Sequence, residues 1–430
     1  MKTLTLALGA LAAGLIGSGV AAQSLESRIG AKPDGLVGLQ FASRSDVCGY
    51  GGSHFRIGSN TFLGERTWVN PDSHGEWESN ETCERGAVRV LLTRAEGRTV
   101  GVKIRIGGSE WPAGTTELGT VGAAQAAGYF LAQAAELDGR LGREALLPAV
   151  LADSSEAWRG LLGIARNRAL SRGLRESATG WLGRESAGAG AGGPEIATAL
   201  NQLAADREEP ASLRTRAVQA LARNDGQGTA SLIALSEAQD PVVSRAAFQA
   251  LGRSSDPRAR DALRRKVRDG SVPENLRHEV IKALGSRDAM PSDYALLREL
   301  FPKLTDNQSR DAVIAALAEA GGTENLHWLM TQARDGSASS SDRSRAVRGA
   351  VRAGARTEDL IQLWDAGQDR RVKETLVEAF ARIGDRAATD KLISIAKTET
   401  DVQIRRAAIN RLSKSGDERA KAALKELVER

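Results

Sequence analysis

Two hydrophobic periodicities divide the chain. Between Leu36 and Ile106, apolar residues recur at alternate positions in short runs, at Leu36–Ala42, His54–Ile57, Ala87–Arg94 and Val100–Ile106. Period two is the pattern of strands with one buried face. Val88, Val90 and Leu92 alternate with Arg89, Leu91 and Thr93, the tetrapeptide Ala95-Glu96-Gly97-Arg98 interrupts, and Val102, Ile104 and Ile106 resume the alternation. That arrangement predicts a hairpin. After Val121 the strand signal stops, and short amphipathic segments follow one another, separated by Gly, Asp, Pro or Ser clusters.

These segments align on one apolar anchor each: Leu182, Leu221, Leu251, Leu284, Leu317, Val351, Phe380 and Leu412. The gaps are 39, 30, 33, 33, 34, 29 and 32 residues, and the longest contains the Gly-rich insertion from Ala187 to Pro194. Four residues before the anchors stand Ala178, Ala217, Ala247, Val280, Val313, Val347, Leu376 and Ala408, all apolar. Eight before, Ser309 and Arg343 are the two polar exceptions to an apolar row. At about 100° per residue, these positions share one helical face. Pro210, Asp240-Pro241, Pro273, Asp306, Asp369 and Asp401 precede the segments and suit helix starts, and Gly183, Gly252, Gly285, Gly384 and Gly416 follow them as stop signals. Each segment therefore reads as the second helix of a pair. Two helices of this length cannot bury their apolar faces alone, so the pairs must stack.

The texture of Leu213-Arg214 through Ala217, Ala220 and Leu221, repeated as Ile404-Arg405 through Ala408 and Leu412, resembles the short HEAT-like repeats of the phycobilisome-lyase type. The resemblance covers residues 156–430, and residues 121–155 less closely. It implies an α-solenoid used mainly as protein-binding scaffolding, with enzymes as a minority. No chromophore-attachment chemistry accompanies it here, and lyase activity is not implied. The expected fold is mainly α: a HEAT-like solenoid over 121–430, a linker at 109–120 punctuated by Gly107-Gly108 and Pro112-Ala113-Gly114, and a small β-rich unit at 24–108.

Lys2, an apolar run from Leu4 to Ile16, and Val20 and Ala22 before Gln23 form a secretory signal pattern. Cleavage after Ala22 is expected, which makes residues 1–22 a signal peptide and the mature chain exported, periplasmic or extracellular, without a membrane span. Cys48 and Cys83 are the only thiols, and in an exported chain a disulfide is the favoured state. It would steady a unit of about 70 residues whose core is marginal, with Phe62, Trp68 and Trp77 to fill it. The alternative is a zinc site from Cys48, His54, His74 and Cys83, although that spacing contains no compact ligand pair. Asn80-Glu81-Thr82 is formally a glycosylation acceptor.

Charge narrows the partners. With 59 Lys and Arg against 54 Asp and Glu, the net charge is only +5, and together with export this weighs against nucleic acid. A basic ladder stands seven residues before the anchors: Arg175, Arg214, Arg277, Arg310, Lys373 and Arg405, with Ser244 and Ser344 in the other two repeats. It has two readings. It could grip an acidic partner, or its stems could cover core while the heads pair with a turn Asp or a carbonyl of the adjacent repeat. Trp158, Trp181, Trp328 and Trp364 lie at or beside apolar helical positions, as core filling or, for Trp328 and Trp364, as anchors for a partner. The basic run from Arg258 to Arg268 reads as a solvated helix face or a positive patch.

No phosphate loop, H-E-x-x-H or G-x-S-x-G pattern occurs, and no cofactor is called for. The expected function is an exported, non-enzymatic scaffold binding a protein or peptide on the solenoid surface. A second possibility makes the β-rich unit a ligand-binding or hydrolase domain, with Trp68, His74 and Trp77 as its groups.

Overall fold

The computed structural model describes residues 24–50, 54–58, 60–63, 83–108, 110–154, 156–188, 192–223, 228–269, 272–286 and 288–429. They fall into two compact units, one running to Gly160 with residues 169–174, the other comprising 161–168 and 175 onward. The signal-peptide segment, Trp68, His74, Trp77 and the Asn80 sequon lie outside the described residues, as does the side chain of Phe62.

The first unit begins with helix α1 (Leu25–Gly30) and continues through strands β1 (Gly35–Phe41), β2 (Val47–Gly49), β3 (His54–Ile57), β4 (Asn60–Leu63), β5 (Val88–Ala95), β6 (Arg98–Ile106) and β7 (Thr115–Thr120). Helices α2 (Ala123–Leu137) and α3 (Gly139–Leu151) follow. One sheet has the order β6-β5-β1-β7 and a second the order β2-β3-β4. The expected hairpin is β5–β6, antiparallel, with Ala95 opposite Arg98. Its two turn residues, Glu96 and Gly97, both take positive φ, at 53° and 71°, the backbone of a tight turn that matches strand twist.

Two expectations change here. Residues 115–120 are not linker: they form β7, which pairs in parallel with β1, Val37 opposite Thr116. The alternation there, Thr115-Thr116-Glu117-Leu118, is too polar to read as a strand, because β7 is an edge strand whose residues are largely exposed or half-buried. The core is also not left to the β residues alone. Val37, Leu39, Phe41, Val88, Val90 and Leu92 are buried together with Phe130, Leu146 and Val150 from α2 and α3, and the Phe41 and Phe130 rings lie 6.2 Å apart. Helices assigned to the solenoid thus complete this unit. Cys48 and Cys83 are joined as a disulfide, which takes up the thiols the zinc alternative required.

The second unit takes in α4 (Ala157–Arg166) from Leu161 onward and continues in two interleaved series of helices, whose first helix enters it at Arg175. The anchor-bearing series is α5 (Arg172–Gly188), α7 (Ala211–Leu221), α9 (Pro241–Gly252), α11 (Glu274–Leu284), α13 (Asn307–Ala320), α15 (Ser340–Arg352), α17 (Arg370–Ile383) and α19 (Val402–Ser413). Between them run α6 (Gly193–Ala205), α8 (Gly228–Ser236), α10 (Pro257–Asp269), α12 (Pro291–Leu300), α14 (Thr323–Arg334), α16 (Thr357–Asp365), α18 (Arg386–Thr398) and finally α20 (Glu418–Val428). From α6 onward the substantial packing contacts join helices one or two places apart in this order. This is the nearest-neighbour pattern of a solenoid. All anchors except half-buried Val351 are buried, and so is every residue four positions before them.

The helix starts are those the punctuation predicts. Asp240, Asp306, Asp369 and Asp401 cap α9, α13, α17 and α19 by accepting backbone N–H bonds from the first turn.

Candidate functional site

The basic ladder is built into the joints between repeats. Arg214 pairs with Asp240 and also donates to the Glu209 carbonyl at 3.1 Å. Arg277 meets Asp306 at 3.5 Å, Arg310 meets Asp342 at 3.0 Å, and Lys373 meets Glu399 at 2.8 Å. Arg175 pairs with Glu209 at 2.8 Å, both side chains being nearly fully buried. Arg405 donates to the Glu399 carbonyl at 3.0 Å. Except at Arg405, whose carbonyl partner lies in the turn before its own helix, these contacts are the inter-repeat one of the two uses the sequence allows. An Asp at the start of one anchor helix does two jobs: it caps that helix and receives the cation of the preceding repeat.

Of the two exceptions, Ser244 donates to the Ala238 carbonyl in the turn before its own helix, and the other keeps the joint. Where Ser344 replaces the ladder cation, Arg343, the polar intruder one position earlier, reaches Asp369 at 3.1 Å and Gln368. Ser344 donates to the Arg371 carbonyl instead.

Electrostatics record these pairings. The Arg175 and Arg168 guanidinium groups hold the Glu209 carboxyl below the usual carboxylate range, with burial opposing them. Arg214 and the amides of Val242 and Val243 do the same for Asp240, again against burial.

The basic run Arg258–Arg268 is neither a free patch nor wholly a solvated face. Arg260 and Arg264 converge on Asp293, at 2.9 and 2.6 Å, and that carboxylate is fully buried. Arg258 pairs with Asp256, and Lys266 with Glu237. The partner Asp293 lies a repeat further along, where a local count of charge cannot find it.

The two candidate tryptophans differ. Trp364 packs on Phe380 at 6.4 Å, with Lys373 and Lys391 at 5.2 and 5.9 Å from its ring. Trp328 is half-buried, stands edge-on to Phe301 at 5.0 Å, and lines an open groove of about 530 Å³ with Arg298, Thr323, Glu324, His327 and Thr331. Trp158 is buried.

What the anchor helices turn outward varies in charge and size along the series. Six residues before successive anchors from Leu221 stand Thr215, Arg245, His278, Asp311, Arg345, Glu374 and Arg406, all exposed or half-buried. Two further grooves open along this series, one of about 460 Å³ between the starts of α11 and α13, lined by Glu274, Asn275, Asp306, Asn307 and Gln308. Among the described residues there is no cluster of three or more His, Cys, Asp or Glu that could hold a metal.

Residues 229–318 and 357–430 match the family profile of HEAT repeats. The chain carries HEAT-like repeats. Similar solved structures include human deoxyhypusine hydroxylase in complex with glycerol, at 16% identity over 56% of this chain and 98% of that one, with a TM-score of 0.28. The CpcE and CpcF complex of phycocyanin lyase from a Nostoc species aligns at 17% identity over 63% and 94%, TM-score 0.23. A designed armadillo repeat protein aligns at 16% over 62% and 97%, TM-score 0.17. No curated protein matches the chain. Among the described residues, no helix in or outside the HEAT-like repeats is long and apolar enough to cross a membrane.

Proposed function

We propose that the chain is an exported, non-enzymatic scaffold that binds a protein or peptide on the outward face of its anchor helices. The observation that carries this reading is the contrast between inside and outside. Anchors and the residues four before them recur from repeat to repeat and the joint cations in six of the eight, while the outward positions change from Thr215 to Arg245, His278 and Asp311. A constant frame with changing outward chemistry is how stacked repeats build an extended recognition surface. The signal pattern at residues 1–22 and the Cys48–Cys83 disulfide support export to an oxidising compartment.

Photo-crosslinkers placed singly at exposed Gln249, Ala315 and Glu378 on the anchor helices, and at exposed Asp261 and Asp390 on the intervening series, test the assignment in the producing cell. Discrete adducts to one protein from the first set and none from the second are expected. Adducts from the second set alone would contradict it.

A further inference from the structure

Two residues beyond each anchor, the outward row begins with three consecutive arginines. It reads Arg184, Arg223 and Arg253, then Ser286, Glu319 and Ala353, and returns to single cations at Arg382 and Lys414. Arg223, Arg253 and Glu319 are exposed, and Arg184 is half-buried. Arg216, half-buried and two turns before Arg223 on α7, joins them.

The backbones of α5 and α7 touch where these cations sit. A Cβ on Gly183 would lie 2.6 Å from the Ala220 Cα, and one on Gly180 would lie 3.6 Å from the Arg216 Cδ. Arg184 adjoins Gly183, while Arg216 and Arg223 stand four residues before and three after Ala220. The close approach therefore draws three guanidinium groups into one another's field. Burial, then Arg223 and Arg216, pushes Arg184 down to about 9. Arg223 is likewise lowered by the surrounding protein and by Arg216.

The contrast with the ladder is chemical. Each ladder cation meets a carboxylate or a carbonyl. Arg216 donates to the Gln219 side-chain amide oxygen at 3.5 Å, and among the described residues no carboxylate lies within ion-pair distance of Arg216, Arg223 or Arg253. Like charges held together cost stability unless an anion compensates. An open groove of about 360 Å³, lined by Glu176, Ser212, Thr215, Arg216, Gln219 and Val242, runs alongside.

We propose that Arg184, Arg216, Arg223 and Arg253 form a recognition strip for an acidic peptide segment of the bound protein. The proposal rests on the outward face being the binding surface and names the chemistry it selects. Arg184 and Arg216 lie on α5 and α7, and Arg223 and Arg253 just past the ends of α7 and α9, so the cations span three successive anchor helices, whereas a lone phosphate would engage only those gathered at Gly183. Packed helices stand about 8–10 Å apart and an extended peptide advances about 3.3 Å per residue, so a carboxylate at every third residue matches the strip. Carboxylates also accept the paired donors of a guanidinium group side by side.

The test titrates the full chain, by fluorescence anisotropy, against a labelled peptide of repeated Glu-Ser-Ser, with repeated Gln-Ser-Ser as control. Binding of the acidic peptide alone is expected, weakening as salt rises. In an Arg216→Gln/Arg223→Gln variant it should fall about tenfold or more, while Arg348→Gln/Arg352→Gln, exposed on another repeat, stays within about twofold. The first variant should also melt at a higher temperature, because repulsion is relieved. A lower melting temperature would make these arginines structural and overturn the proposal, as would equal peptide binding by both variants. Inorganic phosphate binding that the first variant loses, with no peptide binding, would replace the acidic peptide by a phosphate and overturn it too. Anchor-helix crosslinks together with failure of the peptide titration would sink the strip and leave the scaffold reading intact.

Discussion

Glycines 183, 252 and 285 occupy the position immediately after an anchor, where a helix stop is the natural reading of the sequence. Gly183 lies five residues inside the end of α5, so stopping the helix is not its role. At Gly252 a Cβ would lie 2.8 Å from the Ala283 Cα and carbonyl oxygen, and at Gly285 it would lie 2.4 Å from the Ala316 Cβ. The small pairs Gly183·Ala220, Gly252·Ala283 and Gly285·Ala316 form a seam where anchor helices meet closely, backbone to backbone at the first two pairs and against the Ala316 Cβ at the third. Two effects oppose one another in Gly252→Ala. Helix propensity favours the alanine by about 1 kcal/mol, while overpacking against unyielding backbone costs about 1–3 kcal/mol. The variant is expected to lose about 1 kcal/mol in urea unfolding, and a raised midpoint would contradict the seam. The small residues were legible in the sequence. Their pairing across repeats was not, because it depends on which turn of each helix meets its neighbour.

At the scale of elements, the unit of cohesion is the joint between one anchor helix and the start of the next. Apolar spacing and Asp-Pro punctuation already showed where these helices begin, and the ladder showed which cations face the joint. Other partners were hidden by distance along the chain, as with Asp293 between Arg260 and Arg264, or by a one-place shift, as with Arg343. The Arg175–Glu209 pair is nearly fully buried, and Glu209→Gln leaves its cation without compensation, a loss of about 3–5 kcal/mol. Acid should act on the same joints. Glu209 and Asp240 have folded-state pKa values below their unfolded ones. Their contribution is full above the unfolded values, about 4.3 and 3.9, and is lost as pH falls through the lower folded values. Denaturant midpoints measured from pH 6 downward (about the range where both are ionised) should fall less steeply in Glu209→Gln than in the parent. Parallel curves would remove Glu209 from the account.

For the molecule as a whole, the repeat architecture was readable because eight anchors recur with one helical face. The N-terminal unit was read less completely. Its β5–β6 hairpin has clean alternation, but β7 is a polar edge strand, and α2 and α3 carry helical patterns that do not say which core they serve. Within the repeats, each helix leans on helices one or two places away, and that dependence is what frees the outward face to vary. Leu317→Ala empties the fully buried anchor of α13, at a cost of about 2–5 kcal/mol. Native-state hydrogen exchange on this variant tests the dependence directly. Amides of α11 to α15 should lose protection while those of α7 and α19 keep theirs. Equal loss of protection across all anchor helices would contradict it.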